Sequence, residues 1–293
     1  MGVKGLMKHS EIVAKYYEEQ IVLKGKSKQS YYYIIQRWVD IFEGHIIGGD
    51  LSFSDVIDRY IMTRRMFKIK QGTIRRELMV LKSAFNWAKG KGYIDEVPEF
   101  DVPAEPPSKN KWLKPSECHL LLQCAQYNRV NVGGKFEDVF DGVTNRVHLF
   151  IMLGLHTAAR KQSILDLTWD QIDLERRRIN LNPEGRAQTA KRRPIVPISE
   201  QLYDTLRKVK DKAGPVLYHH GSIQQGFYRA VRKAKLKNVT PHTLRHTFAT
   251  ISLQQGVNPY QVAGVMGDSL EMVLERYGHH CPDYLKDAAN LDF

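Results

Sequence analysis

Apolar residues recur along this chain mostly at helical spacing. Between Ser10 and Lys91, four amphipathic segments follow one another: EIVAKYYEEQIVL, SYYYIIQRWVDIF, SFSDVIDRYIMTRRM and TIRRELMVLKSAFNWAKG. Polar or glycine breaks separate them, Ser52 or Ser54 supplies a cap for the third, and Gly90 ends the fourth. The pattern predicts an all-helical domain over 1–94. The next stretch, DEVPEFDVPAEPPSKNK, has four prolines and no helical period, which predicts an extended linker over 95–110. A second domain over 111–293 opens with the Pro-Ser helix start of WLKPSECHLLLQCAQ. It continues through the apolar RVHLFIMLGLH and the amphipathic ISEQLYDTLRKVKDKAG and GSIQQGFYRAVRKAKLKN. RRRINLN and KRRPIVPIS are short extended runs on either side of the polar PEGRAQTA, and predict a small antiparallel sheet. NRVNVGGKFEDVFDGV shows no clear period and reads as an insertion. The fold class expected is mainly α: a four-helix domain followed by a mixed, mostly helical domain with a small sheet.

Chemistry concentrates between Thr240 and His280. Thr240-Pro241 is a helix start, with a hydroxyl to cap free N–H groups and then a residue that needs no N–H at the first helical position. His242 and Arg245 lie one turn apart beside that positively polarised end, an arrangement suited to a phosphate. Leu244, Phe248 and Ile251 form the expected core stripe, which leaves the His/Arg pair off the most apolar side. Gly256 closes the helix and Asn258-Pro259 opens another. Asp268 with Glu271 reads as a capping box for a third, which brings Tyr277 back toward His242 and Arg245. Taken alone, a tyrosine on an amphipathic helix is usually packing.

Charge narrows the partners. The formal net charge of +12 favours a polyanion. From Arg64 to Lys91 the bases Arg64, Arg65, Lys68, Lys70, Arg75, Arg76, Lys82, Lys89 and Lys91 face one acid, Glu77, and a second basic face runs from Arg229 to Lys237. No apolar run nears the roughly 20 residues that span a bilayer, and no signal peptide is visible, so a cytoplasmic protein without a membrane partner is expected. Cys118, Cys124 and Cys281 are odd in number and lack C-x-x-C spacing, which suits packing thiols in a reducing compartment. His279, His280 and Cys281 are adjacent on one turn, where ligands rarely converge on a metal, and no P-loop is present, so neither metal nor other cofactor is expected.

The order H-x-x-R, two short helices bounded by glycine, then tyrosine in E-R-Y-G-H resembles the C-terminal signature of the tyrosine recombinase (phage integrase) family. The resemblance implies an enzyme that cuts and rejoins double-stranded DNA through a 3′-phosphotyrosine, without metal or ATP. It implies an N-terminal SAM-like core-binding domain joined to a catalytic domain as a clamp, working as a homo-tetramer on paired DNA sites with a possible accessory directionality protein. Tyr277 takes the nucleophile's position, Arg245 and His242 those of H-x-x-R, and Arg160, after the small-residue turn His156-Thr157-Ala158-Ala159, that of the first arginine. Lys191 matches the hairpin lysine, with Arg186, Arg192 and Arg193 as alternatives in that loop. Arg64, Arg65, Arg75, Arg76, Lys82, Arg192 and Arg193 are the candidate DNA-backbone contacts. Two positions depart from the family pattern: Ser163 replaces an acid three residues after Arg160, and Asp268 replaces a histidine or tryptophan nine residues before Tyr277. An ionised aspartate cannot donate to phosphate, so Asp268 reads as a helix cap. Integration or excision of a mobile element is the first expectation. A Xer-like dimer resolvase and a decayed DNA-binding relative are the alternatives.

Overall fold

The computed structural model describes residues 7–23, 28–44, 51–105, 111–189, 191–209, 212–217 and 222–281. The chain divides into two compact units, Met1–Ser108 and Lys109–Phe293, and the division falls inside the proline-rich stretch.

The first unit is helical: α1 His9–Tyr16, extended by a wider turn over Tyr17–Val22, then α2 Lys28–Phe42, α3 Phe53–Met66 and α4 Gln71–Gly90. Ser52 caps α3 by accepting from the Asp55 amide. Ile12, Trp38, Ile57, Leu78, Leu81 and Phe85 are fully buried where the helical stripes meet, as burial of one apolar face per helix requires. Glu77, 3% exposed, lies inside this unit. Its carboxylate takes Arg37 Nη1 at 2.8 Å, Arg64 Nη2 at 2.7 Å and the Tyr60 hydroxyl at 2.7 Å, and such pairing is what allows a buried charge. The start of the expected linker is not a free spacer. Val97, Phe100 and Val102 pack on the helical core, and Arg75 and Gln71 donate to the carbonyls of Pro103 and Ala104 at 2.8 Å each.

The second unit is built on α6 (Arg146–Thr157), which is buried from Val147 through Gly154, the mark of a helix with neighbours on every side. Around it stand α5 Pro115–Cys124, α7 Lys161–Leu165, α8 Glu200–Arg207, α9 Ile223–Lys233 and α10 Pro241–Gln254. The last two helices are α11 Pro259–Met266 and α12 Leu270–Tyr277. Gly154 is where α6 and α10 touch: a Cβ there would lie 2.6 Å from Leu244 Cδ1. Before α6, the stretch read as an insertion is a hairpin, with β1 Tyr127–Val132 antiparallel to β2 Lys135–Phe140. Gly133 and Gly134, with φ of 58° and 85°, form its turn. Lys233 of α9 holds it by pairing with Asp138 at 3.1 Å and covering the Tyr127 ring at 3.6 Å. The expected small sheet is present with three antiparallel strands: β3 Ile172–Asp173, β4 Arg178–Asn180 and β5 Ile195–Pro197.

Candidate active site

Four segments distant in sequence converge beside the start of α10. Thr157 ends α6 by donating to Leu153 O at 2.6 Å, and Ala158 turns the chain through φ 50°. Arg160 then leaves the turn extended and precedes α7. On α10 the Thr240 amide donates to Thr243 Oγ1 at 3.0 Å, which fixes the first turn and places Arg245 in the second. Arg245 is 3% exposed, deeper than the amphipathic pattern suggested. Its Nη1 donates to the carbonyls of Ala158 and Met266 at 2.8 Å each, so its plane is set by the turn before Arg160 and by the end of α11.

Asp268 joins the two arginines. Arg160 Nη2 donates to Oδ1 at 2.6 Å, and Arg245 Nη2 donates to Oδ2. The reading of Asp268 as a helix cap is thereby corrected. Ser269 caps α12, its Oγ accepting from the Met272 amide at 3.3 Å. The serine is the residue with the extended cap conformation, and it leaves the carboxylate free to turn inward. Gly267 makes the approach possible: at φ 64° it packs on the β4–β5 loop, and a Cβ there would stand 2.7 Å from the Arg192 carbonyl. That carbonyl also accepts from Arg160 Nη1 at 3.0 Å.

Tyr277, at the end of α12, is 2% exposed. Its hydroxyl lies 2.6 Å from Nδ1 of His246. Burial raises the phenol's pKa, and Arg245 and Arg276 pull it back down. Burial, then His242, Arg276 and Arg245, push His246 down to about 4, so the ring is neutral near pH 7 and able to accept the phenol's proton. His242, on the outer turn of α10, stands edge-to-face against His246 with centroids 4.5 Å apart. Partial burial lowers it first, then Arg245, Arg276 and Arg160.

A phenol against a neutral imidazole, beside two guanidiniums gathered on one carboxylate, is the equipment of anion binding and nucleophilic attack. The model described as "Phage integrase family" matches residues 111–283, more than half of the chain. The chain belongs to the phage integrase family. Its members, the tyrosine recombinases, are site-specific DNA recombinases. The chain is 26% identical to a tyrosine recombinase of Pseudothermotoga lettingae over 265 residues, covering 84% of this chain and 85% of that one. It is 26% identical over 221 residues to the integrase of Salmonella phage P22, covering 67% of this chain and 50% of the phage protein. In fold it is similar to the Tn1549 transposon integrase solved with circular intermediate DNA, with a TM-score of 0.72 at 20% identity over 97% of this chain and 99% of that one.

Against this tyrosine recombinase frame the remaining candidates separate. Arg160, Arg245 and Asp268 form one cluster, and Tyr277, His246 and His242 an adjoining one. Lys191 is exposed in the β4–β5 loop, next to the Arg192 whose carbonyl takes Arg160. Arg192 is exposed, whereas Arg193 is turned inward to Asp166 at 2.9 Å with its side chain 11% exposed. Arg186 bonds Asn182 at 2.7 Å. In the helical unit Arg64 is committed to Glu77, its side chain 17% exposed, so it is an internal ion-pair partner and not part of an open basic face. The reason is local, since Glu77 is buried and needs cations at hand. Arg75 is half-buried on Pro103 O, Arg76 reaches Ser30 Oγ at 3.1 Å, and Arg65 and Lys82 are exposed. Among the described residues no group of three His, Cys, Asp or Glu gathers as a metal site, and no helix is long and apolar enough to cross a membrane. His246 escaped the sequence reading. Its signal was present, four residues after His242 and so on the same helical face, but phosphate binding already accounted for that face.

Proposed function

We propose that this recombinase cuts and rejoins DNA through a 3′-phosphotyrosine at Tyr277, in the service of integrating or excising a mobile element. The observation that carries the reading is the hydroxyl of Tyr277 against His246, one residue along the helix from an Arg245 already joined to Arg160 through Asp268. The phenol oxygen attacks the scissile phosphorus as its proton passes to Nδ1 of His246. The bond from phosphorus to the 5′ oxygen breaks, and Lys191 gives that oxygen its proton. Arg160 and Arg245 hold the nonbridging oxygens as charge grows on them, with planar donor forks that lysine lacks. His242 donates to the same phosphate. The phosphotyrosine conserves the energy of the broken bond, so attack by another 5′ hydroxyl reverses the step without a nucleotide.

Exchange of both strands of two duplexes needs four such tyrosines, hence a homo-tetramer on paired sites, with an accessory directionality protein to bias the outcome. Arg65, Arg76, Lys82 and Arg192, the exposed members of the basic set, are the sequence-independent phosphate contacts. Similarity to a phage integrase and to the fold of a transposon integrase supports the mobile-element role, and the cytoplasm is the compartment where such DNA is met. A nicked suicide duplex that traps the adduct tests the chemistry. Wild type gives a covalent protein–DNA band and Tyr277→Phe gives none; a band from Tyr277→Phe removes the assignment, and a wild type that binds DNA without forming a band makes it a DNA-binding relative.

A further inference from the structure

Two guanidiniums brought together in a partly buried site repel one another, and an anion between them offsets that repulsion in DNA-free protein. Asp268 is that anion, one oxygen to each arginine. Its side chain is 8% exposed, while those of Arg160 and Arg245 are 28% and 4% exposed. The carboxylate is thus more deeply set than Arg160, through which solvent reaches the pair. The donor inventory points the same way. A guanidinium carries five N–H groups. Arg245 spends three of them on Ala158 O, Met266 O and Asp268. Arg160 spends two, on Arg192 O and Asp268. Donors remain on both side chains for two phosphate oxygens while Asp268 stays in place, and the net charge of the trio is still +1.

We infer that Asp268 is a positioning residue for strand cleavage: a carboxylate behind the two arginines that sets their spacing and stays bound to both when the scissile phosphate arrives. The inference rests on the recombinase reading above. It assigns an acid a constructive part at a position where direct contact with phosphate would be repulsive. Because Asp268 follows Gly267 and precedes the Ser269 cap of α12, the same residue also couples the arginine pair to the helix that carries Tyr277.

The test compares wild type, Asp268→Asn and Asp268→Ala on the nicked suicide duplex. Adduct rate is measured as a function of DNA concentration, with thermal melting and non-covalent DNA affinity alongside. The isosteric Asn variant keeps the packing, and is expected to bind DNA within about threefold of wild type while its saturating rate falls on the order of 100-fold, as misplacement of a catalytic group does. Added formate is expected to raise the rate of the Ala variant and leave wild type unchanged, a rescue that lost packing alone would not show. Two results overturn the inference. One is a rate for Asp268→Asn equal to or above wild type, and the other is inhibition of the Ala variant by formate; either makes Asp268 a plug in the phosphate seat. Should the Ala variant fail to fold, the Asn variant decides. Absence of any adduct from wild type overturns the recombinase reading itself, and is distinguishable because it precedes every comparison among the variants.

Discussion

Replacing His246 isolates the proton transfer with which the proposed cleavage starts. At pH 7 the phenol, with a reference pKa near 10, costs about 4 kcal/mol to ionise, and burial raises that value further. Complete transfer to an imidazole lowered to about 4 costs roughly 8 kcal/mol at about 1.4 kcal/mol per unit. The imidazole therefore works only in concert with attack on phosphorus, while the two arginines draw charge onto the phosphate. General bases acting this way contribute about 10²- to 10⁴-fold. His246→Ala is expected to slow adduct formation on the suicide duplex by on the order of 100-fold at pH 7, with DNA affinity retained. His246→Gln, which accepts a hydrogen bond but takes up no proton, is expected to stay within about tenfold of Ala. Raising the pH toward the phenol's own range closes the gap between wild type and variants, because hydroxide then supplies the base. The contact between the hydroxyl and the ring nitrogen is 2.6 Å. Variants that cleave within threefold of wild type across pH 6–9, so that the proton must leave by another route, refute the reasoning.

Three further outcomes are expected. Glu77→Ala strips the acceptor from Arg37, Arg64 and Tyr60 and costs about 3 kcal/mol, read as a drop of some 10–20 °C in the melting of the helical unit; Glu77→Gln loses less. Gly154→Ala drives a methyl to 2.6 Å from Leu244 Cδ1, costs about 1–3 kcal/mol by denaturant titration, and slows cleavage because Leu244 adjoins Arg245. His148, His156, His242 and His246 all sit below the histidine reference of 6.5 in the fold, mainly through burial. Between 6.5 and those lower values the unfolded chain binds more protons, so stability is fully present above 6.5 and falls as the pH drops toward about 4, the value of His246. Guanidinium midpoints of the second unit that are flat over pH 7 to 4 would contradict this.

Helical periodicity carried most of the architecture, because α2, α3, α4, α8 and α9 each bury one face, and that is what a spacing pattern records. The β1–β2 hairpin was not legible: Gly133-Gly134 marks its turn, but the runs on either side lack clean alternation, so the stretch reads as an insertion. The reach of Asp268 was not legible. Whether an acid beside a serine caps a helix or turns inward depends on which one adopts the extended cap conformation, and that is decided by Gly267 packed on the Arg192 carbonyl from a loop far away in sequence. Arg64 shows the same limit, since a basic run cannot reveal which member a buried Glu77 will claim.

Arg245 has a consequence for quality control. Its Nη1 ties the loop behind Ala158 to the end of α11, so the packing of two segments distant in sequence and the placement of a proposed phosphate ligand rest on the same bonds. A nascent or damaged copy in which those bonds are open also lacks a fixed Arg245 beside Tyr277. On the proposed mechanism, the power to break DNA would then be acquired only with the native state, which would spare a chromosome stray nicks from half-made protein.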